Sequence, residues 1–405
     1  MSIFSNETGA KPALLRRIML GMVAFATLGV LWFTPQWSSG LPVEALGAAG
    51  PVPAKLTDRQ FWTLSNQMSE PDGHFRSENL VSNEHTFQWV IRGLERRVRG
   101  GVYLGVAPDQ NFTYISVIKP KIAFIVDIRR GNLLQHLMYK ALFELSADRA
   151  EFVSRLFSKA RPKGLGPDST VEAIFAAYSP VATSDALYRQ NVRAIHDVLL
   201  NRHGFKLSAE DMQQLEGIYW HFYYEGPEIR YTMTAPVPNR SNNRGFGRNR
   251  GMNFPTYREL VQQVDWEGRS RSYLGTEEAY AFVKALEEKN LIVPIVGNFA
   301  GLKALRSVGK YARDHQEVIS AFYVSNVEQY LFQDGIWDEF YQNVATLPVD
   351  DSSTFIRSVS TRMGYNGPMP GPDGRATALD PIKASVAAFR AGKILRYYDL
   401  NARGQ

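Results

Sequence analysis

The chain contains no cysteine. Disulfides, thiolate catalysis and cysteine-ligated zinc are therefore excluded, and an oxidising compartment poses no difficulty for it. No GxSxG and no HExxH occurs either, so serine-hydrolase and zinc-protease chemistry have no signature here. His196 and His203 are spaced i, i+7 in a helical stretch without a metalloprotease-type carboxylate partner, and they read as surface histidines. The remaining histidine and carboxylate spacings match no zinc pattern, so no metal is expected.

Broad positive charge is also missing. The formal net charge of the 405 residues is +6, but its location decides what it means. Lys11, Arg16 and Arg17 lie near the N-terminus, and Arg240, Arg244, Arg248, Arg250 and Arg258 lie in residues 236–258, which hold no other charge of opposite sign. What is left is close to neutral, so a phosphate-binding face, and with it nucleic acid, is not expected.

What is present begins with an apolar run. Ile18–Phe33 carries no charge and follows three basic residues. That asymmetry leaves the N-terminus in the cytoplasm and sends the remainder outward. Residues 1–40 read as a signal peptide or a membrane anchor, and small residues at Ser38–Gly40 and Ala45–Ala49 keep both readings open. A weakly charged, proline-containing linker (41–56) precedes the folded part (57–405). The expected location is exported: periplasmic, either secreted or held in the inner membrane.

The folded part is organised around Gly101–Glu144. A short strand, Val102–Leu104, meets a tight turn at Gly105-Val106-Ala107-Pro108. Asp109 stands where it can cap a helix reaching Ile118, and Pro120 stops that helix. Lys121–Ile128 is a near-continuous apolar run, as expected of a parallel strand buried on both faces, and a further helix follows from Asn132. Asp127 closes the strand 22 residues after Gly105, close to the ~20 at which a carboxylate reaches a ribose in nucleotide-binding folds. Capping the next helix is the plainer use of such an acid.

Upstream, Asp72, His74, Glu78, Asn79, Asn83, Glu84 and His85 form a dense polar group between apolar runs. It reads either as loop-and-cap chemistry or as a lid over the mouth of the sheet. From about 147 to 286 the pattern turns helical and reads as an insertion between the second and third strands. Its aromatic group Tyr219, Trp220, Phe222, Tyr223 and Tyr224 suits core packing, with a pocket wall as the other reading. Within the insertion, residues 236–258 are rich in Asn, Arg and Gly and read as a mobile surface loop. Strand pattern resumes near Leu291 and again at Val318–Val324 and Thr354–Ser360, with helices at Gly301–Asp314 and Pro381–Arg390. The fold expected is α/β: a doubly wound, mainly parallel sheet with a large helical insertion. Its ligand candidates are polar residues beyond the strand ends: Gly105, Asp109, Asp127, Asn298, Ser325, Asn326 and Glu328.

YLGVAP, IAFIVDIRR, VGNFAG and FYVSNVEQYL, in this order, resemble the class I S-adenosylmethionine-dependent methyltransferase (Rossmann) fold. More closely they resemble an uncharacterised bacterial family carrying it, over roughly 70–345. The resemblance implies that Gly105, Ala107 and Asp109 cradle the methionine part of S-adenosylmethionine. It implies further that Asp127 holds the ribose, Asn298 meets the adenine and Ser325-Asn326 face the methyl group, with Asn326 and Glu328 positioning the acceptor. Tyr103 stands where that family has an acid, Ala107 and Asp109 where it has glycines, and Asn298 where an acid is common. Two functions stay open at this point: a methyltransferase-like enzyme binding a nucleoside-type ligand, and an envelope scaffold that keeps the fold without methyl transfer.

Overall fold

The computed structural model describes residues 50–75, 77–231, 254–361 and 368–401. The N-terminal apolar run, residues 41–49 of the linker and the basic loop up to residue 253 lie outside the described residues. Residues 45–405 form one unit.

Helix α1 (Asp58–Met68) opens with a capping box between Thr57 and Gln60, and α2 (Ile91–Arg97) leads into β1 (Val102–Gly105). Then come α3 (Gln110–Ile118), β2 (Ile122–Asp127) and α4 (Arg130–Leu145). The insertion carries α5 (Arg149–Phe157), α6 (Val171–Tyr178), α7 (Asp185–His196), α8 (Ala209–Glu225) and α9 (Tyr257–Gln262). Helix α10 (Glu277–Glu288) returns the chain to β3 (Ile292–Val296), α11 (Ala304–Asp314) and β4 (Ile319–Ser325). Next are α12 (Val327–Gln333), α13 (Trp337–Val344), β5 (Thr354–Ser360), β6 (Arg375–Pro381), α14 (Ile382–Arg390) and α15 (Tyr398–Asn401).

The sheet order is β3-β2-β1-β4-β5-β6. The first five strands pair in parallel and β6 is antiparallel to β5. This is the doubly wound 3-2-1-4-5 arrangement, so the chain reverses its direction of travel across the sheet between β1 and β4. Every residue of β1, β2 and β3 is buried, which is why these strands read as apolar runs rather than alternations. Strand β6 was not anticipated: RATALDP holds no apolar run, and it is fixed by distant partners, through pairing with β5, the contact with Thr86 and the bond from Arg357 to Asp380.

Helix α4 is buried on all sides from Gly131 to Phe143. Its sequence, LLQHLMYKALF, is mostly apolar, and its buried polar members are partnered: Gln135 with the Leu80 carbonyl (2.7 Å), His136 with the Ala107 carbonyl (2.9 Å) and Lys140 with Glu144 (2.8 Å). This suits a helix wedged between a sheet and a covering layer rather than a surface helix. The insertion supplies that layer. Within it Tyr219 and Phe222 are core residues, and Tyr219 is fixed by Ser158 and Asn191 at 2.8 and 2.9 Å. Tyr224 stays outside, 60% exposed.

Three expectations are corrected. The end of the linker is packed: Leu56 is buried and its N–H donates to the Lys289 carbonyl at 3.0 Å. The last residues assigned to the basic loop are ordered, because Thr256 caps α9 reciprocally with Glu259 and Tyr257 is fully buried. His203 is no surface histidine. One π-helical turn, Asp197–Arg202, follows α7 and shifts the i, i+7 register. His203 then falls between Asp58 (2.6 Å) and Glu144 (2.9 Å), with 11% of its side chain exposed. Among the described residues no helix is long and apolar enough to cross a membrane.

Candidate functional site at the carboxyl edge of the sheet

Ligands of open α/β sheets bind beyond the carboxyl ends of the strands, at the reversal point. Here that edge is crossed by residues 69–86, the polar segment that follows α1. Its described residues form no helix or strand of their own, and they visit the strand ends in sheet order.

At β3 the Glu70 N–H donates to the Val296 carbonyl at 2.8 Å. The Glu70 carboxylate accepts from the N–H groups of Asn298 (2.9 Å), Lys303 (2.8 Å) and Ala304 (3.0 Å). It thus satisfies the open donors at the start of α11. Gly301 is required there, since a Cβ would lie 2.3 Å from a Glu70 oxygen. Asn298 turns its Oδ1 to the Ala300 N–H, 2.9 Å away.

At β2 the Gly73 N–H bonds the Ile128 carbonyl (2.8 Å) and Asp72 accepts from the Arg130 N–H at the head of α4 (2.6 Å). Asp127 does not face a vacant edge. Arg129 grips it with Nε and Nη2, both at 3.0 Å, and the Arg129 N–H adds a third bond at 2.9 Å. The same guanidinium reaches the carbonyls of Ser77 and Glu78. Both charged groups are buried. Burial works against the Arg129 charge, but the neighbouring Asp127 outweighs it and lifts the pKa above its ordinary value.

At β1 the Gly105 turn is closed from inside by Asn111. Its Nδ2 donates to the carbonyls of Val106 (2.8 Å), Ala107 (3.1 Å) and Pro108 (2.7 Å), and its Oδ1 accepts from the Tyr103 hydroxyl (2.9 Å). Any Cβ at 105 would come within 2.0 Å of that oxygen. His136 holds the Ala107 carbonyl through Nε2 at 2.9 Å, and burial pushes its pKa down to about 4, so the ring is neutral. Asp109 makes no side-chain cap to α3, contrary to the expectation. It is buried beside Tyr139, Tyr257 and Tyr273, and that burial pushes its carboxyl up to about 7.

At the reversal point itself stands Glu84, 2% exposed. Its carboxylate accepts from Tyr323 (2.9 Å), Ser325 (2.6 Å) and Gln110 (3.0 Å). Ser325 also donates to Asn326 Oδ1 at 3.3 Å. The segment ends at the far side of the sheet, where Thr86 Oγ1 accepts from the Thr377 N–H of β6 at 2.8 Å. Three non-glycine residues at this edge, Asn79, Ala107 and Ser325, take left-handed φ of 49°, 66° and 51°.

The edge therefore brings Gly105, Ala107, Asp127, Asn298, Ser325 and Asn326 together, as expected. It does not include Glu328. That carboxylate is buried with Arg357 (2.6 Å) and Tyr341 (2.7 Å), and Arg357 also bonds Asp380 (2.7 Å). Glu328 is an internal ion-pair member behind β5, so no acceptor-positioning role fits it. The residues missed by sequence reasoning are Glu70, Asn111 and Arg129. For Arg129 the Asp-x-Arg spacing after β2 was the available signal, while Glu70 and Asn111 had none. No group of histidine and acidic residues suited to a metal occurs among the described residues.

No curated protein matches the chain. A family model does, over residues 79–210 and 233–378, a span holding Glu84, the Gly105 turn, Asp127 and strands β1 to β5. The match covers more than half of the chain, which therefore belongs to the family described as Domain of unknown function (DUF7790).

Proposed function

We propose that this chain is an exported or membrane-anchored protein whose methyltransferase-like Rossmann domain serves as a binding scaffold rather than as a transferase. The observation that carries this reading is the filled crevice. Asn111 takes the turn that would cradle methionine, Arg129 the carboxylate that would hold a ribose, Glu70 the loop that would meet an adenine, and Glu84 the end of β4. Hydrogen bonds to charged groups contribute about 1.5–3 kcal/mol each. Breaking four of them to admit a cofactor costs roughly 6 kcal/mol, about four powers of ten in affinity. S-adenosylmethionine is made in the cytoplasm, so an exported domain would meet little of it.

Calorimetric titration with S-adenosylmethionine and S-adenosylhomocysteine is expected to show no saturable binding at millimolar ligand. Asp127→Ala is expected to lower stability by about 3–5 kcal/mol, since it leaves Arg129 buried without its partner. Micromolar binding by the wild type, lost in Asp127→Ala, would restore the enzyme reading. The export half is tested separately: a phosphatase fused after residue 60 is expected to be active in the periplasm, and activity confined to the cytoplasm would sink it.

A further inference from the structure

The near-neutral balance of the folded part conceals a local surplus of positive charge. Helix α2 and the residues after it, IRGLERRVRG, hold four arginines in the eight positions 92–99, against one glutamate. The neighbouring acids are already engaged. Glu95 and Asp265 pair with Arg271 (2.9 and 2.7 Å), Glu278 pairs with Lys119 (2.9 Å), and Glu267 is shared by Arg92 and Arg269. Arg96, Arg97 and Arg99 are exposed, and among the described residues they form no ion pair. Three guanidinium groups within four positions are thus left to solvent, where the chain turns into the amino end of β1.

The chain enters its folded unit at this same amino edge of the sheet. Gly50, the first described residue, accepts at its carbonyl from His315 Nδ1 at 2.8 Å. His315 lies between α11 and β4. Two residues on, Glu317 pairs with Lys121. The Lys121 N–H bonds the Gly101 carbonyl at 2.9 Å, and the Val102 N–H bonds the Val318 carbonyl at 2.9 Å. Contacts therefore run from Gly50 across the starts of β4, β2 and β1 to the glycines that follow Arg99. The apolar run ends at Phe33, 17 residues before Gly50.

We propose that the amino edge docks on an anionic lipid surface, with Arg96, Arg97 and Arg99 against the headgroups. The inference rests on the membrane-anchored form of the function proposed above, and it adds which face the domain turns to the bilayer. A guanidinium fork matches the paired oxygens of a lipid phosphate. The tether selects lipid over nucleic acid. A short connection to an anchored apolar run raises the effective concentration of headgroups at this edge, while the near-neutral remainder of the fold offers no tract for a phosphate backbone. Each arginine at an anionic bilayer favours docking about fivefold, and three together about a hundredfold. Salt screens the attraction beyond about 10 Å, so only the face carrying these arginines gains from it.

The test uses the full chain in vesicles of phosphatidylglycerol or phosphatidylcholine that carry a nitroxide-headgroup lipid. The chain has no cysteine, so Gln316→Cys at the amino edge and Leu302→Cys beyond β3, both at exposed positions, each take a single fluorophore. Quenching is expected at position 316 and not at 302, in phosphatidylglycerol and not in phosphatidylcholine. Arg97→Gln is expected to lower the ratio of docked to free domain about fivefold, and the combined Arg96→Glu, Arg97→Glu and Arg99→Glu variant to abolish docking without lowering the melting temperature. Equal quenching at both positions, quenching indifferent to lipid charge, or quenching unchanged in the combined variant would overturn the proposal. Binding of duplex DNA that the combined variant loses, without quenching by lipid, would overturn it in favour of nucleic acid. Flotation with phosphatidylcholine vesicles reports on the apolar run alone. Its loss would remove the anchored reading and this proposal with it, whereas flotation with equal quenching at the two positions would overturn the docking alone.

Discussion

Replacing Arg357 with methionine is expected to lower the unfolding free energy by about 3–5 kcal/mol, the range for removing one partner of a buried ion pair. Arg357 is 2% exposed and lies between Glu328 and Asp380, with Tyr341 and Ser385 completing its bonds. Burial alone would depress its pKa, yet Glu328, Tyr341 and Asp380 hold it well above the ordinary value. Methionine fills much of the volume but leaves two carboxylates without a cation in the core. Glu328→Gln should cost less, because the amide keeps an acceptor for Arg357 and removes a charge. Guanidinium unfolding of both variants measures the difference. A loss below about 1 kcal/mol for Arg357→Met, the size of an ordinary surface change, would show that the cluster is not the internal anchor described here.

The second large effect runs the other way. Asp109→Asn is expected to stabilise the protein at alkaline pH. The Asp109 carboxyl has an ordinary value of 3.8 and is pushed up to about 7 by burial, with only a partial offset from its bond to Tyr273. A group raised in the folded state contributes its stability below the unfolded pKa and loses it as pH rises through the folded one. Relative to an uncharged side chain, folding with Asp109 therefore becomes less favourable from about pH 4 upward, levelling off above pH 7. The difference between 3.8 and about 7 corresponds to roughly 4 kcal/mol. Asparagine removes this titration while keeping an oxygen for Tyr273. Unfolding curves at pH 5 and pH 8 should show the gap between wild type and variant widening in favour of the variant at pH 8. Parallel curves would mean that Asp109 is already ionised at pH 5, in contact with water.

The two results bear on opposite sides of β4. Arg357 reports on the core behind β5, whereas Asp109 reports on how dry the ground beneath the Gly105 turn is. A dry turn whose carbonyls are gathered on Asn111 is a poor cradle for a charged cofactor, which is consistent with the scaffold reading.

The buried parallel strands were legible in the chain because a strand covered on both faces needs apolar residues at every position. VYLG, IAFIVD and IVPIV declare themselves without any knowledge of their neighbours, and so does the helical insertion through its period. None of these depends on a distant partner. By contrast, Glu84 meets Tyr323 across 239 residues, and nothing local distinguishes it from Glu78 or Asp72 in the same polar stretch. Asp127 was correctly expected at a strand end beside the Gly105 turn. Whether it faced a ligand or a neighbouring arginine depended on where residues 69–86 run, because the Ser77 and Glu78 carbonyls help to hold Arg129 over it. Sequence periodicity determines which residues must leave water, and with them the sheet and its edge. Only the tertiary structure decided that Asp127 and Glu84 meet protein partners at that edge, because those partners are polar, few and far apart in the chain, and a polar side chain carries no periodic trace of the partner it will meet.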